Sequence, residues 1–185
     1  MRDRRFIAVH RGGPLDLDSH RALARWAAGC AERVLPFFTR CSPDTRPQQA
    51  LDIAHAWADG ELKTGAAMKA SVAAHAAARS VTDPAAIAAA RAAGHAVATA
   101  HFADHSPGAL LYAMKARAAA GQPIELELKR QLAKLPVRLR QLVFASIKIR
   151  LQPMGLASSR QTAPSPAKRV SGEVLIKKSA PRKKR

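Results

Sequence analysis

Apolar residues along this chain recur at steps of three and four, which is the spacing of one face of a helix. The first such run extends from about Asp18 to Phe38. Its apolar members are Leu23, Trp26, Ala27, Cys30, Val34 and Phe37. No segment alternates apolar and polar residues between turn signals, as a half-buried strand would. The pattern therefore predicts an all-α fold, in which FASIKIRL, residues 144–151, favours either a short strand or an extension of the last helix.

Proline, glycine and short polar residues predict where the later helices begin and end. Proline fits the first helical turn, glycine can end a helix, and a Thr or Asp such as Thr64 or Asp83 can cap one. We expect helices at about 47–60, 64–80, 83–105 and 106–121, a sixth from 123, and a short seventh after a break at Pro136. The sequence thus predicts a single compact bundle of about six to seven helices.

Basic residues are concentrated towards the C-terminus. The chain has 31 Lys and Arg against 13 Asp and Glu, a net charge of +18. Residues 148–185 hold 11 of these basic residues and one acid, Glu173, which leaves 20 minus 12, or +8, for residues 1–147. This segment mixes Ser, Pro and Lys without periodicity, so we expect it to be disordered. The expected organisation is a basic N-terminal segment at 1–17, a helical domain at 18–147 and a tail at 148–185.

A basic tail of this kind is typical of proteins that bind nucleic acid through its phosphates. The candidate contacts are Lys168, Arg169, Lys177, Lys178, Arg182, Lys183, Lys184 and Arg185. Aromatic residues that could stack on bases do not lie between them, so any binding should be non-specific and sensitive to salt. A solvated tail without a ligand is the alternative interpretation.

Several classes of protein are disfavoured by composition. Cys30 and Cys41 are too few for a disulfide scaffold, and residues 1–13 lack the apolar run of a secretory signal. No run of about 18 apolar residues could cross a membrane. The sequence also has no Gly-rich phosphate loop, nucleophile elbow or paired-cysteine motif. We therefore expect a cytoplasmic protein with reduced thiols, no cofactor and no enzymatic activity.

Histidines are the polar residues that stand out among the alanines. If the fourth helix continues to His105, then His101 and His105 share one face with Gly94, and His95 lies at the edge of that face. Gly94 would then permit close contact with a neighbouring helix. We therefore expect His101 and His105 to point inward.

The third helix places one more histidine near this group. His75 and Arg79 fall on the same face as Met68 and Val72, which favours an inward position for His75. Arg79 and Arg91 each lie beside an apolar face. Either could form a buried or half-buried ion pair with an acid, for which Asp52 and Asp104 are the candidates.

Metal binding is the more specific of two interpretations of these histidines. His101 and His105 are four residues apart, Asp104 lies beside them, and His75 could come from the neighbouring helix, as in a zinc site or a metal-dependent hydrolase. HFADH matches a metalloenzyme signature only in part. Histidines within helices more often form hydrogen bonds that serve packing, so we favour packing or partner binding over metal.

Four segments in order resemble the immunity-five-like group of bacterial immunity proteins. They are RPQQALDIAHAWADGE (46–61), AAHAAAR (73–79), AARAAGHAVATAHFADHSPGALLYAMKA (89–116) and LPVRLRQLV (135–143). The resemblance covers most of residues 19–143 and implies a small helical protein, not an enzyme, that neutralises a partner toxin by binding it. The candidate core or partner-binding residues in these segments are His75, Arg79, Arg91, His95, His101, Asp104, His105 and Tyr112. The body's charge of +8 leaves room for a toxin of acidic or neutral surface.

Overall fold

The computed structural model describes residues 3–151 and residue 156, which form eight α-helices and three short 3-10 helices. No strand occurs among these residues, so the predicted all-α fold is confirmed. The α-helices are α1 (Leu17–Glu32), α2 (Leu35–Thr39), α3 (Arg46–Asp59), α4 (Thr64–Ala77), α5 (Pro84–Ala98), α6 (Ser106–Ala119), α7 (Glu125–Lys134) and α8 (Val137–Leu151). The 3-10 helices are Arg4–Phe6, Val9–Arg11 and Ala103–His105.

Helix α5 is the centre of the bundle and packs against α1, α2, α3, α4 and α6. Eleven of its 15 residues are buried, and nine of those are alanine. Alanine has the highest helix propensity and leaves no bulky side chain to hold a neighbour at a distance. The composition of this one helix therefore allows five others to approach it closely.

The first predicted helix is wrong at its C-terminal end. Helix α1 ends at Glu32 and a separate short helix, α2, begins at Leu35. Pro36 lies in the first turn of α2, where its missing amide hydrogen is tolerated. In one continuous helix its ring would clash with the carbonyl of Glu32, so the chain breaks between the two residues.

The fourth predicted helix is also shorter than expected, because α5 ends at Ala98 and not at His105. The Thr99 hydroxyl donates to the carbonyl of His95 at 3.2 Å. The Thr99 carbonyl, which a continuing helix would need, accepts a hydrogen bond from Nε2 of His20 at 2.6 Å. Phe102 is extended, with φ −146° and ψ 111°. His101 therefore lies in a turn and His105 in a 3-10 helix, so the shared helical face that we expected for them does not exist.

The predicted helix start at Asp83 and the predicted helix end at Gly60 are correct, whereas the predicted cap at Thr64 is wrong. Asp83 caps α5 by accepting a hydrogen bond from the amide of Ala86 at 2.7 Å. Gly60 ends α3 with a positive φ of 87°, a conformation that glycine adopts without strain. Thr64 is not a cap but the first residue of α4, and its hydroxyl accepts from Nε1 of Trp57 at 3.3 Å.

The two ends of the described chain both pack on the bundle. Phe6 and Leu15 of the N-terminal segment are buried. Pro136 separates α7 from α8 as predicted, but α8 is not short and includes all of FASIKIRL. Residues 148–151, which the sequence assigned to the tail, are therefore helical, and Leu156 is buried. The predicted disorder of the remaining tail concerns residues outside the described part of the chain.

We also compared the described helices with the requirements of a membrane span. None of them combines the length and the apolar character that crossing a bilayer demands.

Candidate functional site

Four histidine rings form a row that joins α4, α5 and the segment between α5 and α6. The ring centroids of His75 and His95 are 5.3 Å apart, those of His95 and His105 are 5.4 Å apart, and those of His105 and His101 are 5.3 Å apart. The ring of His95 also stacks on Tyr112 of α6 at 5.0 Å. The sequence analysis placed His95 at the edge of the predicted helical face. In the structure, His95 is instead the centre of this histidine row, because its ring contacts His75, His105 and Tyr112.

Two glycines create the space that the imidazoles occupy. A Cβ atom at Gly94 would lie 2.8 Å from Cε1 of His75, and one at Gly108 would lie 2.8 Å from Nδ1 of His95. Both distances are shorter than a carbon atom can approach. The predicted close contact at Gly94 is confirmed, and Gly108 of α6 provides a second contact that the sequence pattern did not indicate.

His75 and His95 lie in a positive environment that favours neutral rings. Burial lowers the pKa of His95 to about 3, with further lowering from His105, His75, Arg150 and Arg91. Burial also lowers the pKa of His75, assisted by Arg91 and Arg79. Nδ1 of His95 is buried without a hydrogen-bond partner. The ring of His95 is therefore held by packing against His75 and His105 and by stacking on Tyr112.

Arg79, Arg91 and Asp52 were candidates for buried or half-buried ion pairs. Arg91 lies with its guanidinium carbon 5.9 Å from the ring centroid of Tyr112, and Arg79 is exposed at the end of α4. Asp52 accepts a hydrogen bond from its own helix, from Nε2 of Gln48 at 2.8 Å. The carboxylate of Asp52 therefore bonds within α3, and an ion pair of Arg79 or Arg91 with Asp104 stays a prediction.

The face of α4 that carries Met68 and Val72 was predicted to point inward, but it faces outward. Met68 is 50% exposed and Val72 is 68% exposed. The buried side chains of α4 are instead small: Ala67, Ala70, Ser71, Ala74 and Ala77. His75 is half-buried at the border between these two faces, where it reaches the row.

A cavity of about 200 Å³ lies beside the row, between the N-terminal segment and the residues after α5. Among its lining residues are Phe6, Arg11, His20, His101, Phe102 and Asp104. The guanidinium of Arg11 lies 4.5 Å from the ring centroid of Phe102. His20 is buried at the inner end of this cavity. Its ring packs edge-on against Trp57, with the ring centroids 4.9 Å apart, and burial lowers the pKa of His20. Because His20 precedes Leu23 and Ala27 on the apolar stripe of α1, its spacing could have indicated this position.

The metal alternative from the sequence required His75, His101 and His105 to meet. In the structure His75 contacts His95, whereas His101 contacts His105. Over residues 3–151 and 156, no group of three or more His, Cys, Asp or Glu side chains is arranged to hold a metal ion. The row is a set of ring contacts and not a ligand cage.

A second polar cluster, which the sequence analysis missed, ties α7 to α1. Glu127 is 3% exposed and accepts hydrogen bonds from Arg33 and from Nε2 of Gln131. Burial by itself would raise the pKa of Glu127, but these hydrogen bonds lower it below its usual value. Gln131 also contacts Trp26 and Cys30: its carbonyl accepts from the indole at 2.8 Å, and its side-chain oxygen lies 3.7 Å from the thiol. The spacing of four between Glu127 and Gln131 was the available signal.

The two cysteines differ in their surroundings. Cys30 is buried, and burial raises the pKa of its thiol. Cys41 is exposed between α2 and α3, and both thiols are free.

Fold and site together describe an all-α bundle in which four histidine rings lie in contact between packed helices. Residues 13–138 match the model of a family described as Imm-5 like putative immunity protein. This match includes α1 to α7 and every residue of the histidine row. The chain therefore belongs to the Imm-5 like family, as the sequence resemblance indicated. No curated protein and no solved structure matches the chain significantly.

Proposed function

We propose that this chain neutralises a cognate bacterial toxin by binding it as a stoichiometric inhibitor. The observation that carries the proposal is the family match over residues 13–138. An immunity protein of this kind acts by covering a surface of the toxin. It needs a rigid scaffold that holds its binding face in place, and it needs no catalytic group of its own.

The packing of the histidine row supports a scaffold role. Neutral rings in contact with Gly94 and Gly108 hold α4, α5 and α6 together. A general acid or base would need a ring that can exchange protons near neutral pH and reach a substrate. With a pKa of about 3, His95 does not have that property.

The experiment is co-expression of this chain with the toxin encoded beside it. We expect cells that receive both proteins to survive, and the purified pair to form a complex of one chain to one toxin by light scattering. Gly108→Ala, which we expect to make the bundle less stable, is the control for protection that depends on folded protein. If the intact chain neither protects the cells nor binds the toxin, the proposal is wrong.

The charge of the tail favours a second candidate function, non-specific binding of nucleic acid. Residues 152–185, which follow α8 in the sequence, hold nine Lys or Arg and one acid and so carry +8 of the total charge of +18. Lys and Arg at this density release counterions from a nucleic-acid backbone without reading its bases. This activity would be independent of the helical body.

A further inference from the structure

The outer side of α7 and α8 forms an apolar groove with basic residues along it. The groove has a volume of about 440 Å³. Its lining residues are Lys129, Leu132, Ala133, Arg140, Gln141 and Phe144. We call this surface the α7–α8 groove. It is concave, whereas the exposed Met68 and Val72 lie on the outward face of one helix.

Helix α8 leaves large apolar side chains uncovered along the groove. Phe144 is 57% exposed, and Val137, seven residues before it on the same helical face, is 76% exposed. On the other side of α8, Leu139, Val143 and Ile147 are buried. Exposed apolar side chains surrounded by polar residues often mark a binding surface. The bundle covers one side of α8 and leaves the other available.

The charge of this region selects the kind of partner that fits. Residues 125–151 contain seven Lys or Arg and two acids, a net charge of +5. One of those acids, Glu127, is buried and already paired with Arg33. Arg140 is held at the end of α7 by donating to the carbonyls of Ala133 at 2.7 Å and Leu135 at 2.9 Å. An occupant with carboxylates would meet fixed positive charge.

Two occupants from the same chain are disfavoured by this charge. A second copy bound symmetrically would bring Lys129 and Arg140 to both sides of the interface. The segment 157–185 carries nine Lys or Arg and one acid, so it too would bring positive charge to the groove. Like charges placed opposite each other oppose association.

We propose that the α7–α8 groove is the surface that binds the toxin, and that it takes an acidic, amphipathic helix of that toxin. The apolar face of the helix packs on Phe144 and Leu132, and its carboxylates pair with Lys129 and Arg140. This inference rests on the proposed immunity function. It adds the binding face and the chemistry of the partner segment.

The test measures binding of the full chain to the toxin encoded beside it, by calorimetry and by surface kinetics. We expect Phe144→Ser to weaken binding about 30-fold, because a central aromatic residue in an interface carries much of its affinity. We expect Lys129→Glu to weaken binding about tenfold, mainly through slower association, with a larger effect at low salt.

Matched controls come from the exposed face of α4. Val72→Ser removes an exposed apolar residue, and Lys69→Glu reverses an exposed charge near it. Both should leave affinity within about twofold of the unchanged chain. Circular dichroism melting should show that all four variants remain folded.

The outcomes separate this inference from the proposed function. If the unchanged chain binds no toxin, both are wrong. If it binds and the groove variants bind equally well, or if only the α4 variants lose affinity, the function stands and the groove assignment is wrong. Tighter binding by Phe144→Ser would mean that the chain itself covers the groove. A doubled mass in light scattering that this substitution abolishes would assign the groove to a second copy, and either result overturns the inference.

Discussion

The alanine-rich core around α5 and the helix pair α7 and α8 follow opposite rules of construction. In the core, small side chains bring helices together, and glycines accept imidazole rings at van der Waals distance. In the helix pair, larger side chains such as Phe144 and Val137 remain in solvent and basic residues surround them. A closely packed region has little freedom to form a new contact, whereas an uncovered region has apolar area to bury. The comparison is the physical basis of the proposal that the first region is a scaffold and the second a recognition surface.

Acid should break the core more strongly than any single substitution. Because the pKa of His95 is lowered, the folded state binds a proton at this ring less readily than the unfolded state does. The contribution of neutral His95 to stability is therefore complete above about pH 6.5, and it is lost as the pH falls towards 3. Between pH 6.5 and 4 we expect this ring alone to cost about 3 kcal/mol of unfolding free energy. Urea melts across this range measure the loss.

His95→Gln is the matched test, because glutamine cannot gain a proton over this range. We expect the variant to be less stable at pH 7.5 and to show a flatter pH dependence below pH 6.5. Equal slopes for His95→Gln and the unchanged chain would contradict the lowered pKa of His95.

Glu127→Ala should detach the helix pair from the core. It leaves Gln131 without a buried hydrogen-bond acceptor and Arg33 without its partner, at a cost of about 3 kcal/mol. We expect faster amide hydrogen exchange in α7 and α8 while α5 stays protected. If exchange rises equally throughout the bundle, the two regions are not separable units.

Gly108→Ala should be the clearest steric test of the core. The added methyl group would lie 2.8 Å from His95, and we expect a loss of about 2 kcal/mol. Gly29→Ala in α1 meets no atom within 4 Å, so it should stabilise the chain by about 0.5–1 kcal/mol. Thermal melts that gave both substitutions the same sign would contradict the assigned contact.

Neutralising the tail should have the smallest effect on the body. In the full chain, replacing the last six basic residues by Ser should leave the melting temperature unchanged. These residues are Lys177, Lys178, Arg182, Lys183, Lys184 and Arg185. We expect weaker binding to duplex DNA and a slope against salt that is smaller by up to about five. Unchanged, salt-insensitive binding would exclude the tail as the contact.

The same two regions explain which features the sequence could predict. Caps such as Asp83, the stop at Gly60 and the break at Pro136 are local, so they could be located without knowing the fold. The end of α5 depends on His20, which is 79 residues from Thr99 along the chain and takes its carbonyl. A prediction from helical periodicity alone does not include a partner as distant as His20. The predicted helix therefore continued to His105.

The histidine site was predicted in its membership but not in its arrangement. The sequence singled out His75, His95, His101, His105 and Tyr112, and ring contacts link them as one series. Which rings touch depends on the turn at 99–102 and on Gly108, both outside the reach of a single helical period. The groove was missed because α8 is apolar on both sides, so its pattern did not indicate which side faces solvent.

Because Cys41 is exposed and Cys30 is buried, labelling of the two thiols can report local unfolding of this chain. A maleimide dye added to the folded protein should attach to Cys41 alone, since Cys30 is enclosed beside Gln131 where α7 meets α1. Attachment of a second dye would then count the molecules in which this junction has opened. The protein thus permits a labelling measurement of local opening without any engineered residue.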